Sequence, residues 1–181
     1  MATPPHPLLD IVMRRPNLDG LPPVRVGPGY TLRAFRPGDE AAWAALFVAA
    51  FPEQPDPAGI HQREFLSKPL WTPEREFFAC RDDVPVACTA AWEAPERFGP
   101  LAGQIHWVAT RPDHLRRGLG RATALAALHY MKSRYDSAVL VTQTFRLPAI
   151  RLYLDLGFQP HMTALPEMPD RWATVEAALR G

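Results

Sequence analysis

Residues 103–122, GQIHWVATRPDHLRRGLGRA, decide how this chain reads. An apolar, strand-like run from Ile105 to Ala109 passes through a short basic loop into Gly118-Leu119-Gly120. A long alanine-rich helical stretch follows at once. That order leaves main-chain N–H groups at a helix start uncrowded and places arginines beside them. Orphan amide donors and the positive end of the helix dipole both attract anions, so the arrangement suits a pyrophosphate. Between Arg111 and Arg121 four arginines stand against one aspartate, while the whole chain has a net charge of only +1. The positive charge is local.

Other uses of such a loop fit less well. A dinucleotide fold places G-x-G-x-x-G directly after a strand, with an acidic residue about 20 positions further on. Here Thr123 holds the position of the third glycine, and seven residues separate Thr110 from Gly118. The P-loop pattern G-x-x-x-x-G-K-[ST] is absent. On the glycine pair alone, an ordinary helix start beside a solvated basic loop stays open.

A second segment narrows the choice. Residues 138–158 read AVLVTQTFRLPAIRLYLDLGF. A buried strand from Ala138 to Thr142 runs into a loop, and a short helix from Pro148 to Leu156 is closed by Gly157. Proline at a helix start and glycine just past its end are the expected punctuation. Together the two segments resemble the GNAT superfamily of acyl-CoA-dependent N-acyltransferases. The first is similar to that family's pyrophosphate loop, V-x-x-x-P-x-x-[QR]-x-x-G-x-[GA], through Val108, Pro112, Gly118, Leu119 and Gly120, with Arg116 and Arg117 inside it. The second is similar to N-x-x-A-x-x-L-Y-x-x-x-G-F through Ala149, Leu152, Tyr153, Gly157 and Phe158. With its flanking strands the resemblance covers roughly residues 30 to 160. Two positions depart from the pattern: Leu115 replaces the usual Gln or Arg, and Arg146 the usual Asn. The first loss is tolerable if backbone amides bind the phosphates. Arg146 either reaches a phosphate or faces water.

Composition sets the frame. A chain of 181 residues, 47% hydrophobic and 22% charged, suits one domain with a substantial core. Seven of the 21 prolines precede Tyr30. Residues 1–29 therefore read as a proline-rich extension without regular structure of its own, ahead of a domain over 30–181. No basic region followed by an apolar core marks a signal peptide, and no apolar run approaches the roughly 18 residues a membrane helix needs. Cys80 and Cys88 fall on a hairpin whose turn is Asp82-Asp83; a tight turn sets Cys80 opposite Val84 or Pro85, which argues against a disulfide. Free thiols in an unsecreted chain fit the cytoplasm. The near-neutral charge carries no nucleic-acid signal, and the six histidines are too scattered for a zinc site.

Along the chain, the expected elements are a strand over 30–35, a helix to about Ala50 with Trp43, Leu46 and Phe47 at helical spacing, and a second helix over 59–66. A hairpin of 76–81 with 86–92, the two segments above, and a C-terminal helix over 170–180 follow. The fold class is α/β: a single mixed sheet of GNAT type flanked by helices on both faces.

The resemblance implies the following chemistry. Acetyl-CoA is the cosubstrate and no metal is required. Its pyrophosphate lies on residues 116–121 (Arg116, Arg117, Gly118, Leu119, Gly120, Arg121), with Arg146 as a further contact. Its pantetheine runs along the strand edge near Val108 and Ala109, where an N–H polarises the thioester carbonyl. An amine, on a small molecule or a protein, attacks directly. Tyr153 is the general acid for the departing thiolate. For the base, the strand offers Gln104 and His106 on one face, and His106 titrates near 6.5; Glu93, Glu96 and water are alternatives, and His106 also reads as an ordinary core histidine. Phe47, Phe51, Phe65, Trp71, Trp92 and Trp107 are candidates to line the acceptor pocket. Glu53, Asp56, Glu64, Glu93 and Glu96 are candidates to hold a cationic amine. No nucleic acid or membrane partner is expected, and a homodimer is compatible with the chain. Two rivals remain: an acyl-CoA-binding sensor or scaffold of the same fold without turnover, and an ATP- or NAD-dependent enzyme.

Overall fold

The computed structural model describes residues 9–52 and 59–181. Seven strands form one sheet in the order β2-β3-β4-β5-β6-β1-β7. They are β1 (Asp10–Arg15), β2 (Thr31–Ala34), β3 (Glu76–Arg81), β4 (Val84–Glu93), β5 (Ala102–Thr110), β6 (Ser137–Gln143) and β7 (Gln159–Pro160). Every neighbouring pair is antiparallel except β5 and β6, which run parallel. The helices are α1 (Glu40–Ala50), the single turn α2 (Pro95–Phe98), α3 (Leu119–Met131), α4 (Leu147–Asp155) and α5 (Met168–Arg180).

Helices cover both faces, as the α/β reading expects. On one face α3, α4 and α5 share a core with Ile11, Met13, Ile105, Ala138 and Leu140. On the other, Trp43, Leu46 and Phe47 of α1 pack on Phe78, Cys88, Ala90 and Ala109. The base of α1 is pinned by charge: Asp39 takes two guanidinium bonds from Arg33, at 2.7 and 2.9 Å, and a 2.7 Å bond from the Arg36 N–H.

The β3–β4 turn behaves as its two aspartates suggest. Asp82 and Asp83 have φ of 51° and 63°, the left-handed pair of a tight hairpin turn, and Cys80 pairs with Pro85. Cys80 and Cys88 are free and buried, and burial pushes both thiols up.

Two expectations need correction. Within 1–29, expected to lack regular structure, Asp10–Arg15 forms β1, inserted between β6 and β7. Ile11, Val12 and Met13 are fully buried, and burying three apolar side chains plus a strand's worth of backbone pairing outweighs the local proline content. The second helix is a shorter, wider coil: over Gln62–Leu66 it opens into a π turn in which the Ser67 N–H reaches the Gln62 carbonyl. This turn buries Phe65 completely.

Candidate active site

The site begins with a failure of strand pairing. β5 and β6 are in register only from Ala102–Ser137 to Gln104–Val139, and beyond that point they diverge. On its other edge β5 also slips: Cys88 pairs with Ala109 but Ala90 with His106, so β5 holds one extra residue in that interval. Trp107 lies inside the bulge with φ of 48°. A non-glycine residue held left-handed within a strand costs of order 1–3 kcal/mol, and such strain concentrates at functional sites. Here it is braced by Phe47 and Phe51, whose rings meet the indole edge-on at 4.9 and 5.6 Å.

Divergence and bulge together open a cleft of about 460 Å³ through the sheet. Val108, Thr142, Ala149 and Tyr153 line it, as do Gln104, His106 and Trp107. Tyr153 is buried on α4, and the helix is closed by Gly157 at φ 82°, with the Phe158 N–H returning to the Tyr153 carbonyl at 2.9 Å. Burial pushes the Tyr153 phenol above its ordinary value, partly offset by the charge of Arg146. Tyr153 therefore holds its proton at neutral pH.

His106 enters from β5. Its ring lies over Trp92 at 6.3 Å and meets Phe65 edge-on at 5.9 Å. Its Nε2 is 3.8 Å from Glu64 on the π turn. The neighbouring His106 lowers the Glu64 carboxyl against the opposing effect of its partial burial, so Glu64 is ionised near neutrality.

The other candidates separate. Glu93 accepts the Tyr135 hydroxyl proton in a short bond and is committed there. Glu96 sits exposed on α2, outside the cleft lining. Trp71 donates to Glu76 and packs on Phe35, in the core. Glu53 and Asp56 lie outside the described residues. Arg146 is bonded to Gln143 at 2.7 Å and lies over Phe51 and Phe145, so it belongs to the cleft wall rather than to open water. Asp10, Arg97, Gln143 and Phe145, which the sequence reading did not single out, also line the cleft. For Asp10 the apolar triplet Ile11-Val12-Met13 was the usable signal.

One end of this system is main chain. Arg116 (φ 59°) and Gly118 (φ 75°) are both left-handed, a conformation that gathers successive N–H groups into an anion-binding concavity. The first bond of α3 runs from Ala122 to the Gly118 carbonyl, so the N–H groups of Leu119, Gly120 and Arg121 have no acceptor within the helix. Arg116 and Arg117 are exposed around them, whereas Arg111 is paired with Asp113 at 2.9 Å. A Cβ on Gly120 would lie 3.3 Å from the Thr110 hydroxyl, which shows how tightly the helix start abuts the end of β5. Leu115 is more than half exposed at the rim, consistent with binding through amides instead of its side chain. Ala109, by contrast, is buried and faces the α1 core.

The sheet is thus opened at its parallel pair, and an amide-rich turn follows the end of β5. The model of the acetyltransferase (GNAT) family matches residues 40–158, and the chain belongs to that family. Among curated relatives it is 36% identical over 155 residues to the mycothiol acetyltransferase of Thermobispora bispora, covering 81% of this chain and 52% of that relative. The mycothiol acetyltransferase of Thermomonospora curvata is 34% identical over 162 residues, with 81% and 50% covered. The chain thus spans about half the length of these relatives. Among solved structures, the GCN5-related N-acetyltransferase of Sphaerobacter thermophilus superposes with TM-score 0.63 at 24% identity, over 86% of this chain and 49% of that one. The GCN5-related N-acetyltransferase of Kribbella flavida gives 0.55 at 20%, over 83% and 53%. These two likenesses concern the fold. No helix among the described residues is long and apolar enough to cross a membrane.

Proposed function

We propose that this chain moves an acetyl group from acetyl-CoA to an amine by direct attack. The observation that carries the reading is the cleft where β5 and β6 part, which Tyr153 and His106 both line, with Glu64 3.8 Å from His106. The turn over residues 116–121 receives the pyrophosphate, and the edge of β5 at Val108 receives the pantetheine amides. A main-chain N–H near Val108 would polarise the thioester carbonyl; an oxyanion donor of this kind is worth roughly 3–4 kcal/mol in acyl transfer.

The proton balance follows from the two side chains. The amine nitrogen bonds to the thioester carbon, the carbonyl electrons move onto oxygen, and collapse of that adduct breaks the carbon–sulfur bond. Tyr153 gives its proton to the leaving sulfur, and the proton that the nitrogen still carries after attack restores the phenol. His106 takes the proton that the amine must lose, because an amine with a pKa of about 10 is mostly protonated at neutral pH. Glu64 orients the imidazole and stabilises its charged form. With both thiols buried and protonated, no covalent enzyme intermediate is formed.

Turnover of acetyl-CoA against an amine panel, followed as free CoA thiol, tests this. The names of the half-covered relatives make a mycothiol-related amine the first member of that panel. A second reading is a sensor that holds acyl-CoA without turnover; Leu115 and Arg146, at odds with the family pattern, favour it. Stabilisation by acetyl-CoA, about 2.7 kcal/mol at 100 times its dissociation constant, with no turnover on any amine, selects the sensor. Stabilisation by ATP or NAD alone overturns both.

A further inference from the structure

Beside the cleft, on the same sheet face as His106, lies a second pocket of about 270 Å³. Its wall is Arg14 of β1, Arg97 and Phe98 of α2, Val139 of β6, and His161, Thr163 and Ala164 of the loop after β7. Two features distinguish it from ordinary surface. Among the described residues no carboxylate lines it, although acidic residues nearly equal basic ones over the chain. It also adjoins the cleft through a shared residue, since Arg97 lines both.

Each cation is aimed by a neighbour that leaves its charge unneutralised. Arg14 is steadied by the Ser137 hydroxyl at 3.2 Å, and the Arg97 guanidinium lies over the Phe98 ring at 4.9 Å. The His161 main chain is tied to Val12 at 2.9 Å, and its Nδ1 is 3.5 Å from the Thr163 hydroxyl. Partial burial, aided by Arg14, holds the His161 ring below the usual imidazole range, so a neutral ring N–H and two guanidinium forks face the pocket. Such a set matches a planar or tetrahedral oxyanion.

We propose that the acceptor amine carries a second, anionic group, a carboxylate or a phosphate, and that Arg14, Arg97 and His161 receive it in this pocket. The proposal rests on the acetyl-transfer reading above. Register gives the span. Arg14, Val139 and Gln104 form one row across the sheet, and the reacting region lies two to four residues further along β5, at His106 to Val108. At about 3.3 Å per residue the offset along the strands is about 7–13 Å, and the spacing of about 4.8 Å between neighbouring strands adds to it. A single α-amino acid is too short to bridge it, whereas three extended residues reach about 10 Å.

Calorimetry on the CoA-saturated protein tests the proposal with two matched pairs: trialanine against trialanine amide, and aminohexyl phosphate against aminohexanol. We expect the acid of at least one pair to bind about tenfold tighter than its neutral partner. The better pair identifies the anion as carboxylate or phosphate. The preference should vanish in Arg14→Gln/Arg97→Gln and return in part with Arg97→Lys. Both arginines are exposed, so the fold should tolerate these changes, and thermal unfolding verifies it. Equal binding within both pairs, or a preference that survives the double substitution, overturns the proposal. Binding is read without turnover, so a protein that shows the preference but acetylates no amine contradicts only the proposed function.

Discussion

The two ends of the proposed substrate path are built by different means. The α3 end is one contiguous segment, residues 116–121, and offers mostly main chain: a left-handed arginine, a left-handed glycine and three N–H groups without helical acceptors. The proposed acceptor end is assembled from several elements and offers side chains: His106 and Arg97 in the cleft, Glu64 beside His106, and Arg14 in the second pocket. Main-chain recognition suits a partner that never varies, because it survives most substitutions. Side-chain recognition suits a partner that differs between relatives.

Tyr153→Phe is the strongest way to break this division, because the reaction centre belongs to both ends. General acid catalysis contributes about 10²–10⁴-fold, and turnover should fall by at least the lower figure with acetyl-CoA affinity little changed. Near-wild-type turnover, under conditions where chemistry limits the rate, would reduce Tyr153 to packing.

The next largest effect concerns stability at the acceptor end. Asp39→Asn removes the more buried of the two carboxylates that pair with Arg33 at the base of α1, the helix that braces Trp107, and leaves only the exposed Asp83. Loss of charge-assisted bonds should cost about 1.5–3 kcal/mol in denaturant unfolding. Burial raises the Asp39 carboxyl, but bonding to Arg33 and to the Arg36 N–H outweighs it and the net shift is downward. Its stabilisation is therefore complete above the ordinary aspartate range and is lost as pH falls through the lowered folded value. Wild type should show this acid loss and Asp39→Asn should not; parallel acid profiles for the two proteins would contradict it.

Arg116→Glu/Arg117→Glu probes the main-chain end. Reversing both charges beside the amide turn should weaken acetyl-CoA about tenfold, more at low salt, without unfolding the protein. Unchanged affinity in a folded variant would assign all phosphate binding to the amides. The smallest effect is expected for His106→Ala, because water can take the proton in its place. Turnover should fall by less than the roughly tenfold change above, well short of the roughly 10²–10⁴-fold of an indispensable base, with the acidic limb of the pH–rate profile removed. A normal profile would pass proton removal to water.

Much of this was legible in the sequence, and the exceptions share a cause. The glycine pair, Pro148 and Gly157 fix local backbone conformation through a few neighbouring residues, so the α3 turn and the α4 helix could be read directly. The Asp82-Asp83 turn similarly set the Cys80 register. β1 escaped notice because its reason to exist is not local: Ile11, Val12 and Met13 become a strand only when β6 and β7 supply partners on both sides. Glu64 was one of five acidic candidates until the π turn brought it to His106.

What the sequence by itself determined was the order of the strands and longer helices from β2 to α4, the glycine-rich start of α3 and the helix that carries Tyr153. Those features depend on backbone stereochemistry and on periodicities of two and 3.6 residues, which act over short distances. Only the tertiary structure decided where the sheet opens, that Trp107 takes a left-handed conformation, and that Arg14 and Arg97 share a pocket. Each of these depends on long-range packing, in which strain or uncompensated charge at one residue is offset by burial of residues far away in the chain.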